Sequence, residues 1–158
     1  MARLTPRFSA TRAVREYTEK YYLQAASSYL ERAGENGKIG VNIVRQRRAL
    51  DQGWAALRFS EAKIETRGEQ HVFEVHVHLN DLDPKSVGLE LYADGVGGGD
   101  PVRQEMECVG QSIAAPGCFV FGASVSAARV STDYTARVTS HRDGVAIPLE
   151  DSRILWQR

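Results

Sequence analysis

Apolar and polar side chains alternate strictly through residues 70–79, and this pattern constrains the fold of the chain more than any other. One set of alternate positions is entirely apolar and comprises Phe73, Val75, Val77 and Leu79. Successive side chains of a β-strand point to opposite faces of a sheet. The pattern therefore predicts a strand with one face in a core and the other toward solvent.

Six further segments predict strands because each is short, rich in apolar residues and bounded by turn residues. They cover residues 57–66, 86–92, 102–109, 118–126, 132–140 and 153–157. Seven short strands over about a hundred residues are typical of an antiparallel β-sandwich of the immunoglobulin type. Tyr134, near the start of a late strand, fits either the corner hydrogen bond common in such sandwiches or an ordinary buried tyrosine.

The first third of the chain predicts a helical hairpin. Residues 11–33 contain no glycine or proline, and their apolar side chains recur at helical spacing. They are Val14, Tyr17, Tyr21, Ala25, Leu30 and Ala33. A second helical series comprises Ile39, Ile43, Leu50, Trp54 and Leu57. Gly34 and the residues after it supply the stop between the helices. Ser9 or Thr11 is the expected N-cap, and Glu16 with Lys20 the expected ion pair.

Charge is distributed unevenly along the chain. Twenty basic residues balance twenty acidic ones overall, which argues against nucleic acid or a membrane as partner. The first sixty residues, however, carry eleven basic and five acidic side chains. Because charge and hydrophobic pattern change at the same place, we predict an α+β protein with two domains, a helical hairpin over 1–56 and an immunoglobulin-like β-sandwich over 57–158.

The composition predicts a cytoplasmic protein. The first residues lack the apolar stretch of a signal peptide, and no apolar run is long enough to span a bilayer. Two cysteines, Cys108 and Cys118, are too few for a disulfide scaffold. Each lies in an apolar predicted strand, so both are expected to be buried thiols.

Two histidines have workable spacing for zinc, because His76 and His78 lie two apart on one predicted strand face. A complete site would need further ligands, and the candidates are Glu74, His71 and the distant His141. The opposite strand face is already the apolar one, so solvent-exposed histidines explain the pattern without a metal. We therefore predict no metal site.

No other cluster predicts a catalytic or cofactor-binding residue. The glycine-rich stretch from Gly95 is followed by a strand rather than a helix, so it predicts a hairpin loop and not a phosphate cradle. Three aspartates near strand ends are interpreted as turn residues. They are Asp81, Asp83 and Asp94. A basic cluster without interleaved aromatic residues is interpreted as a solvated face or an intramolecular contact. It comprises Arg45, Arg47 and Arg48.

The segment that begins at Phe8 resembles the stretch that closes the catalytic domain of α-glucan (glycogen or starch) phosphorylases. The matching residues, in the family's order, are Phe8, Ser9, Arg12, Val14, Glu16 and Tyr17. Thr11 departs from the pattern, since an acidic residue is common there in the animal enzymes. Further segments resemble the C-terminal extension of a bacterial branch of the family. They lie at 22–26, 54–59, 80–84, 90–94, 133–137, 148–149 and 154–158.

The resemblance implies a parent glycosyltransferase of carbohydrate metabolism. That family transfers glucosyl units between an α-1,4-glucan end and inorganic phosphate, releases glucose 1-phosphate, and uses pyridoxal phosphate bound to a lysine. No lysine here lies in the family's cofactor context, and the four are Lys20, Lys38, Lys63 and Lys85. We therefore expect a C-terminal fragment that is inactive alone and binds no cofactor, with a structural or accessory role and no catalytic, cofactor-binding or metal residue.

Aromatic residues wrap too far around the first helix for a hairpin to cover. The resemblance implies that the phosphorylase catalytic domain covers them, and that domain is the expected partner. The residues expected to be exposed, and to cause self-association, are Phe8, Val14, Tyr17, Tyr21 and Tyr22. The alternative function is an independent carbohydrate-binding or oligomerisation module, with α-glucan as ligand. Its aromatic candidates are Trp54, Tyr92 and Trp156, of which Trp54 is expected to be buried.

Overall fold

A computed structural model describes residues 9–113, 115–142 and 144–158 of the chain. The chain divides into two compact units, Met1–Arg45 and Gln46–Arg158. The first unit is helical, and the second consists of an antiparallel sheet together with the end of a helix. The predicted α+β class and the order of a helical part before a β part are confirmed.

The helical unit begins with helix α1, Ala10–Tyr17, and continues through a π-helical segment, Thr18–Tyr22, into helix α2, Leu23–Gly53. Of the two predicted N-caps the structure uses Ser9, whose hydroxyl accepts from the Arg12 amide at 3.3 Å. Helix α2 is broken at 34–37, where three successive residues have positive φ. The predicted stop at this place is thus confirmed, but its left-handed residues are Glu35, Asn36 and Gly37, whereas Gly34, the residue predicted to be left-handed, is extended at φ −58°.

Glu16 forms its ion pair with a different partner from the one predicted. Arg12 Nε donates to Glu16 Oε1 at 2.6 Å, one helical turn before Glu16 rather than one turn after it. The hydrogen bond and charge of Arg12 lower the pKa of the Glu16 carboxyl, and Lys20 adds a smaller effect of the same sign. The predicted pair with Lys20 is therefore a secondary electrostatic contribution.

The second unit contains seven strands, all paired antiparallel. They are β1 Arg58–Arg67, β2 Gln70–His78, β3 Val87–Ala93, β4 Val102–Gln111, β5 Cys118–Ser126, β6 Thr135–Ser140 and β7 Ile154–Trp156. Each matches a predicted strand, and the predicted alternation in β2 is confirmed by burial of every second side chain. The glycine-rich stretch connects β3 to β4, as predicted, through a short turn at Val96–Gly98.

Strand β4 joins two halves of a curled sheet. Its residues 102–106 pair with β3, whereas residues 107–111 pair with β5, with a register irregularity between Cys108 and Gly110 inside that second pairing. The two halves have the strand orders β1-β2-β5-β4 and β4-β3-β6-β7. Without the shared strand, the second half is β3-β6-β7. When β1 to β7 are lettered A to G in chain order, the two halves have the A-B-E-D and C-F-G strand orders of immunoglobulin constant-type sandwiches.

The core of this unit lies between the two halves and extends into the end of helix α2. Alternate residues of β2 and β3 supply its centre, and Val75, Val77 and Leu91 are inaccessible to solvent. Leu50 of α2 is also fully buried in this cluster, and Trp54 packs against it. The helix end is therefore part of the packing of the sheet unit.

A network of ion pairs connects the same helix end with residues near the C-terminus of the protein. Asp51 pairs with Arg153, which also contacts Asp151 at 2.5 Å. Asp151 in turn accepts from buried Arg142 at 3.1 Å. Burial lowers the pKa of the Arg142 guanidinium, and the nearby Asp151 carboxylate opposes that shift. Buried charges require such partners, so the network fixes the position of the C-terminal segment.

Tyr134 and the two cysteines lie in or beside strands. The Tyr134 ring, just before β6, meets Phe73 at 5.8 Å between centroids and lies 5.8 Å from the Arg129 guanidinium. These ring contacts fit the packing interpretation of the two that the sequence left open. Cys118 is buried as expected, but the expectation for Cys108 is wrong, because that thiol is exposed. A regular strand would turn Cys108 toward the core two residues after buried Met106, but β4 passes from one sheet half to the other there.

Candidate functional site

A group of large apolar side chains is exposed on the helical unit, and we call it the aromatic helix surface. Its members are Val14, Tyr17, Tyr21, Tyr22, Leu23, Tyr29 and Leu30. Each is between 55% and 69% exposed, and the rings of Tyr17 and Tyr21 lie 5.9 Å apart. The predicted exposure of Val14, Tyr17, Tyr21 and Tyr22 is confirmed, whereas Phe8 lies outside the described residues. Exposed large apolar side chains in such number mark interaction sites on proteins.

A second candidate surface lies on the outward face of β4, β3, β6 and β7. Strand register places four side chains in one line across these strands, which we call the glutamate–arginine row. In spatial order they are Glu105, Glu90, Arg137 and Trp156. They alternate with core residues, since Leu89, Leu91, Ala136 and Val138 are buried.

Arg137 is held rigidly at the centre of this row. Its Nε and Nη2 both contact Glu90 Oε1, at 2.6 and 2.5 Å. Its guanidinium also lies 4.4 Å from the ring centroid of Tyr92 and 4.9 Å from that of Trp156. These two rings meet edge to face at 5.3 Å. Ion pairing and cation–π contact together fix the guanidinium, and burial restricts it further, because only 8% of the residue is exposed.

A groove of about 540 Å³ runs alongside the row. Its polar lining comes from Glu90, Arg103, Glu105, Arg137, Thr139, Ser140, His141 and Arg142. Gly88 forms part of the wall, where an added Cβ would lie 3.3 Å from Thr139 Oγ1. The absence of a side chain at this outward-facing position keeps the groove open beside Glu90.

His76 and His78 lie on one face of β2, as predicted, whereas the further candidate His71 lies on the opposite face. His76 faces outward with its Nε2 3.0 Å from Glu74 Oε1, and this hydrogen bond, with Lys63, lowers the pKa of the Glu74 carboxyl. His71 lies on the buried face instead, with Nδ1 2.8 Å from Thr66 Oγ1 and Nε2 2.9 Å from the Arg129 carbonyl. Within residues 9–113, 115–142 and 144–158 no cluster of three or more metal-binding side chains occurs.

The other predicted positions serve local structure. Asp83 caps a turn by accepting from the Lys85 amide at 2.9 Å, and Asp94 accepts from the Tyr92 hydroxyl at 3.1 Å. Asp81 is exposed. Trp54 is half-buried against the core, and the three clustered arginines at 45–48 are exposed.

The lysines do not fit a pyridoxal phosphate site. All four are exposed, and Lys63 lies 3.5 Å from both Glu61 and Glu74. These carboxylates raise the pKa of the Lys63 ammonium, whereas a Schiff base requires a neutral amine. Lys38 is likewise paired, with Glu35 at 3.4 Å.

Tyr92 and Trp156 were visible in the sequence as aromatic candidates, but the charged residues between them were missed. Glu90 is a charged position within the otherwise apolar strand β3, and that interruption was the available signal. Strands β4 and β6 mix polar and apolar residues, so Glu105 and Arg137 gave no such signal. Their alignment depends on which strands are neighbours and in what register, and periodicity within one strand does not specify either.

No family model matches the chain. Among curated proteins, glycogen phosphorylases from two strains of Mycobacterium tuberculosis and from Mycobacterium bovis are each 28% identical to it over 117 residues. The match covers 68% of this chain and spans only 14% of the length of those relatives. The chain is thus similar to a small part of a glycogen phosphorylase. None of the helices within the described residues is long and apolar enough to cross a membrane.

Proposed function

We propose that the chain is the C-terminal segment of a bacterial α-glucan phosphorylase, with an immunoglobulin-like sandwich as its accessory domain. The partial similarity to mycobacterial glycogen phosphorylases supports this proposal, as does the agreement of Ser9, Arg12, Glu16 and Tyr17 with the family's closing segment. The parent enzyme phosphorolyses α-1,4-glucan to glucose 1-phosphate in the cytoplasm.

The helical unit docks on the catalytic domain of that parent. The observation that carries this part of the proposal is the aromatic helix surface, since a monomer rarely leaves so many large apolar side chains in contact with water. None of the described residues in 9–45 is buried, so the unit supplies no core of its own. A docking partner would remove these rings from water and stabilise the helices.

The chain alone has no phosphorolytic activity in this proposal. Its four lysines are exposed, and Lys38 and Lys63 are paired with carboxylates, so they supply no Schiff base; the parent's catalytic domain carries the cofactor. The purified chain should neither absorb as a pyridoxal Schiff base nor release glucose 1-phosphate from glycogen and phosphate. Measurable phosphorolysis by the pure chain would overturn the proposal.

The docking surface is tested with the double variant Tyr17→Ser and Tyr22→Ser. We expect the wild-type chain to self-associate at high concentration, and the double variant to remain largely monomeric in light scattering. The melting temperature of the sheet unit should stay nearly unchanged, because its core does not contain these tyrosines.

The same variant should bind the catalytic portion of a phosphorylase from the same organism more weakly than wild type in size-exclusion chromatography. A wild-type chain that stays strictly monomeric and forms no complex would contradict the docking proposal. Substitution of Lys38 and Lys63 by Ser serves as the control, because both are exposed side chains outside the aromatic helix surface.

A further inference from the structure

We propose that the groove beside the glutamate–arginine row is a binding site for α-1,4-glucan. The site lies entirely within the sheet unit and is separate from the aromatic helix surface. The choice of glucan as the sugar rests on the proposed function. The existence of a carbohydrate site rests on the groove's charge, its free hydrogen-bonding groups, the placement of Glu105 and the exposed ring of Trp156.

The charge of the groove favours a neutral ligand. Two carboxylates, Glu90 and Glu105, face two guanidiniums, Arg103 and Arg137. A third guanidinium in the lining, Arg142, is already paired with Asp151 at 3.1 Å and adds no uncompensated charge. An anion would meet both carboxylates, and a cation would meet both guanidiniums. A polyhydroxylated ligand can instead donate to the carboxylates and accept from the guanidiniums, and hydrogen bonds to charged groups are the stronger kind.

The central ion pair keeps unused hydrogen-bonding capacity. Arg137 uses Nε and Nη2 on a single oxygen of Glu90. Within the described part of the chain, neither Arg137 Nη1 nor Glu90 Oε2 has a partner. One donor and one acceptor of the same ion pair therefore remain available, which suits a ligand with several hydroxyl groups. Little side-chain entropy is lost on binding, because the guanidinium is already immobilised between two rings.

Glu105 has no role in sheet stability that would explain its position. It lies directly opposite Glu90 on the neighbouring strand, and like charges placed so are destabilising. Across the described residues, Glu105 and its neighbour Arg103 form no ion pair. Both are exposed and line the groove, so their charged ends are available to a ligand.

An aromatic side chain ends the row. Trp156 is 39% exposed and lies beside Ile154, which lines both the main groove and a second hollow of about 580 Å³ bounded by Trp156. The apolar C–H face of a glucosyl unit packs on such a ring while its hydroxyl rim reaches polar groups. The main groove falls within the roughly 300–1,000 Å³ of ligand pockets, enough for a short oligosaccharide.

Titration of the full chain with maltoheptaose, followed by calorimetry and by retardation in glycogen-containing gels, tests the proposal. We expect Trp156→Ala to raise Kd about tenfold and Glu105→Gln to raise it about threefold, as expected for losing an aromatic contact and one charged hydrogen bond. Glu74→Gln is the matched control, because Glu74 is an exposed glutamate on the outward face of the other sheet half. Its Kd should equal that of wild type.

Thermal melts of each variant separate lost binding from lost folding, and Glu105→Gln removes no buried contact. The proposal is overturned if wild type does not bind maltoheptaose, if both groove variants bind as wild type does, or if the β-1,4-linked cellohexaose binds equally well. The Tyr17→Ser and Tyr22→Ser variant should keep full affinity for maltoheptaose. If the chain binds maltoheptaose but fails the docking test, the proposed glucan site is retained and only the docking proposal is rejected.

Discussion

The two units of this chain differ in where their large apolar side chains lie. Every described core residue belongs to Gln46–Arg158, and the cluster there includes fifteen buried side chains. In the helical unit, by contrast, no described residue is buried, and its tyrosines face solvent. A helix without a covered face gains little from packing. The comparison shows that the described core lies in the sheet unit, and under the proposed function the helices gain a covered face by docking.

The largest effect is expected when the chain is truncated at residue 46 or at residue 57, on either side of the buried end of helix α2. A polypeptide of residues 46–158 should melt cooperatively and show a β-type circular dichroism spectrum. One of residues 57–158 should be less stable by about 3–5 kcal/mol or fail to fold, because it lacks buried Leu50 and the Trp54 ring. Equal melting temperatures for the two polypeptides would show that the helix end adds nothing to the core.

A matched pair of leucine substitutions makes the same comparison without truncation. Leu50→Ala should cost about 2–5 kcal/mol, since it removes methyl groups from a fully buried site. Leu30→Ala, in the same helix α2 but 69% exposed, should change the free energy of unfolding by less than about 0.5 kcal/mol. Urea denaturation of both variants gives the two values. A large cost at Leu30 would mean that the helical unit buries this side chain in solution.

Two glycines of helix α2 offer a smaller contrast. A Cβ at Gly53 would lie 2.8 Å from Leu82 Cγ in the core, so Gly53→Ala should cost about 1–3 kcal/mol through overpacking. Gly34 has φ −58°, and a Cβ added there would meet no atom within 4 Å. Gly34→Ala should therefore be neutral or stabilise by up to about 1 kcal/mol. Thermal melts should show a lower melting temperature for the Gly53 variant and an equal or higher one for the Gly34 variant.

The smallest expected effect is the acid dependence of an exposed carboxylate. The pKa of Glu74 is lowered below 4.5 in the folded chain by His76 and then Lys63. Its contribution to stability is therefore present above about pH 4.5 and is lost as pH falls through the folded-state pKa. Because the group is exposed, the contribution lies within about 0–1 kcal/mol. Melting temperatures of wild type and Glu74→Gln should converge as the pH is lowered from 6 toward about 3.

Glu16 provides the corresponding control in the helical unit. Its pKa is also lowered, chiefly by Arg12, but it contributes to no core. Glu16→Gln should leave the acid dependence of the sheet unit's melt unchanged. A changed melt would show that the two units unfold together.

The strands were predictable because each half-buried strand repeats its apolar side chains with a period of two. All seven predicted strands lie within three residues of the observed ones. The helix break was predictable too, from the local requirement for left-handed backbone at Gly37. Such features depend on neighbours in sequence.

The rest depends on neighbours in space. The exposure of Cys108 follows from the passage of β4 between sheet halves, and no pattern within 102–109 indicates that passage. Likewise, Glu90 and Arg137 lie 47 residues apart in sequence, and only the pairing of β3 with β6 brings them together. The candidate glucan site was therefore visible in part, as Tyr92 and Trp156, but not as a site.

Strand β1 determines what form association of this chain can take. It is the long edge of the sheet, and its exposed side chains carry alternating charge, with Glu61, Lys63, Glu65 and Arg67 along it. Another strand adding there would have to bury those charges, and the opposite edge, β7, is only three residues long. Growth of fibrils through the sheet is therefore blocked at both ends. Aggregates of this chain should be small, held by tyrosines, and should dissolve on dilution.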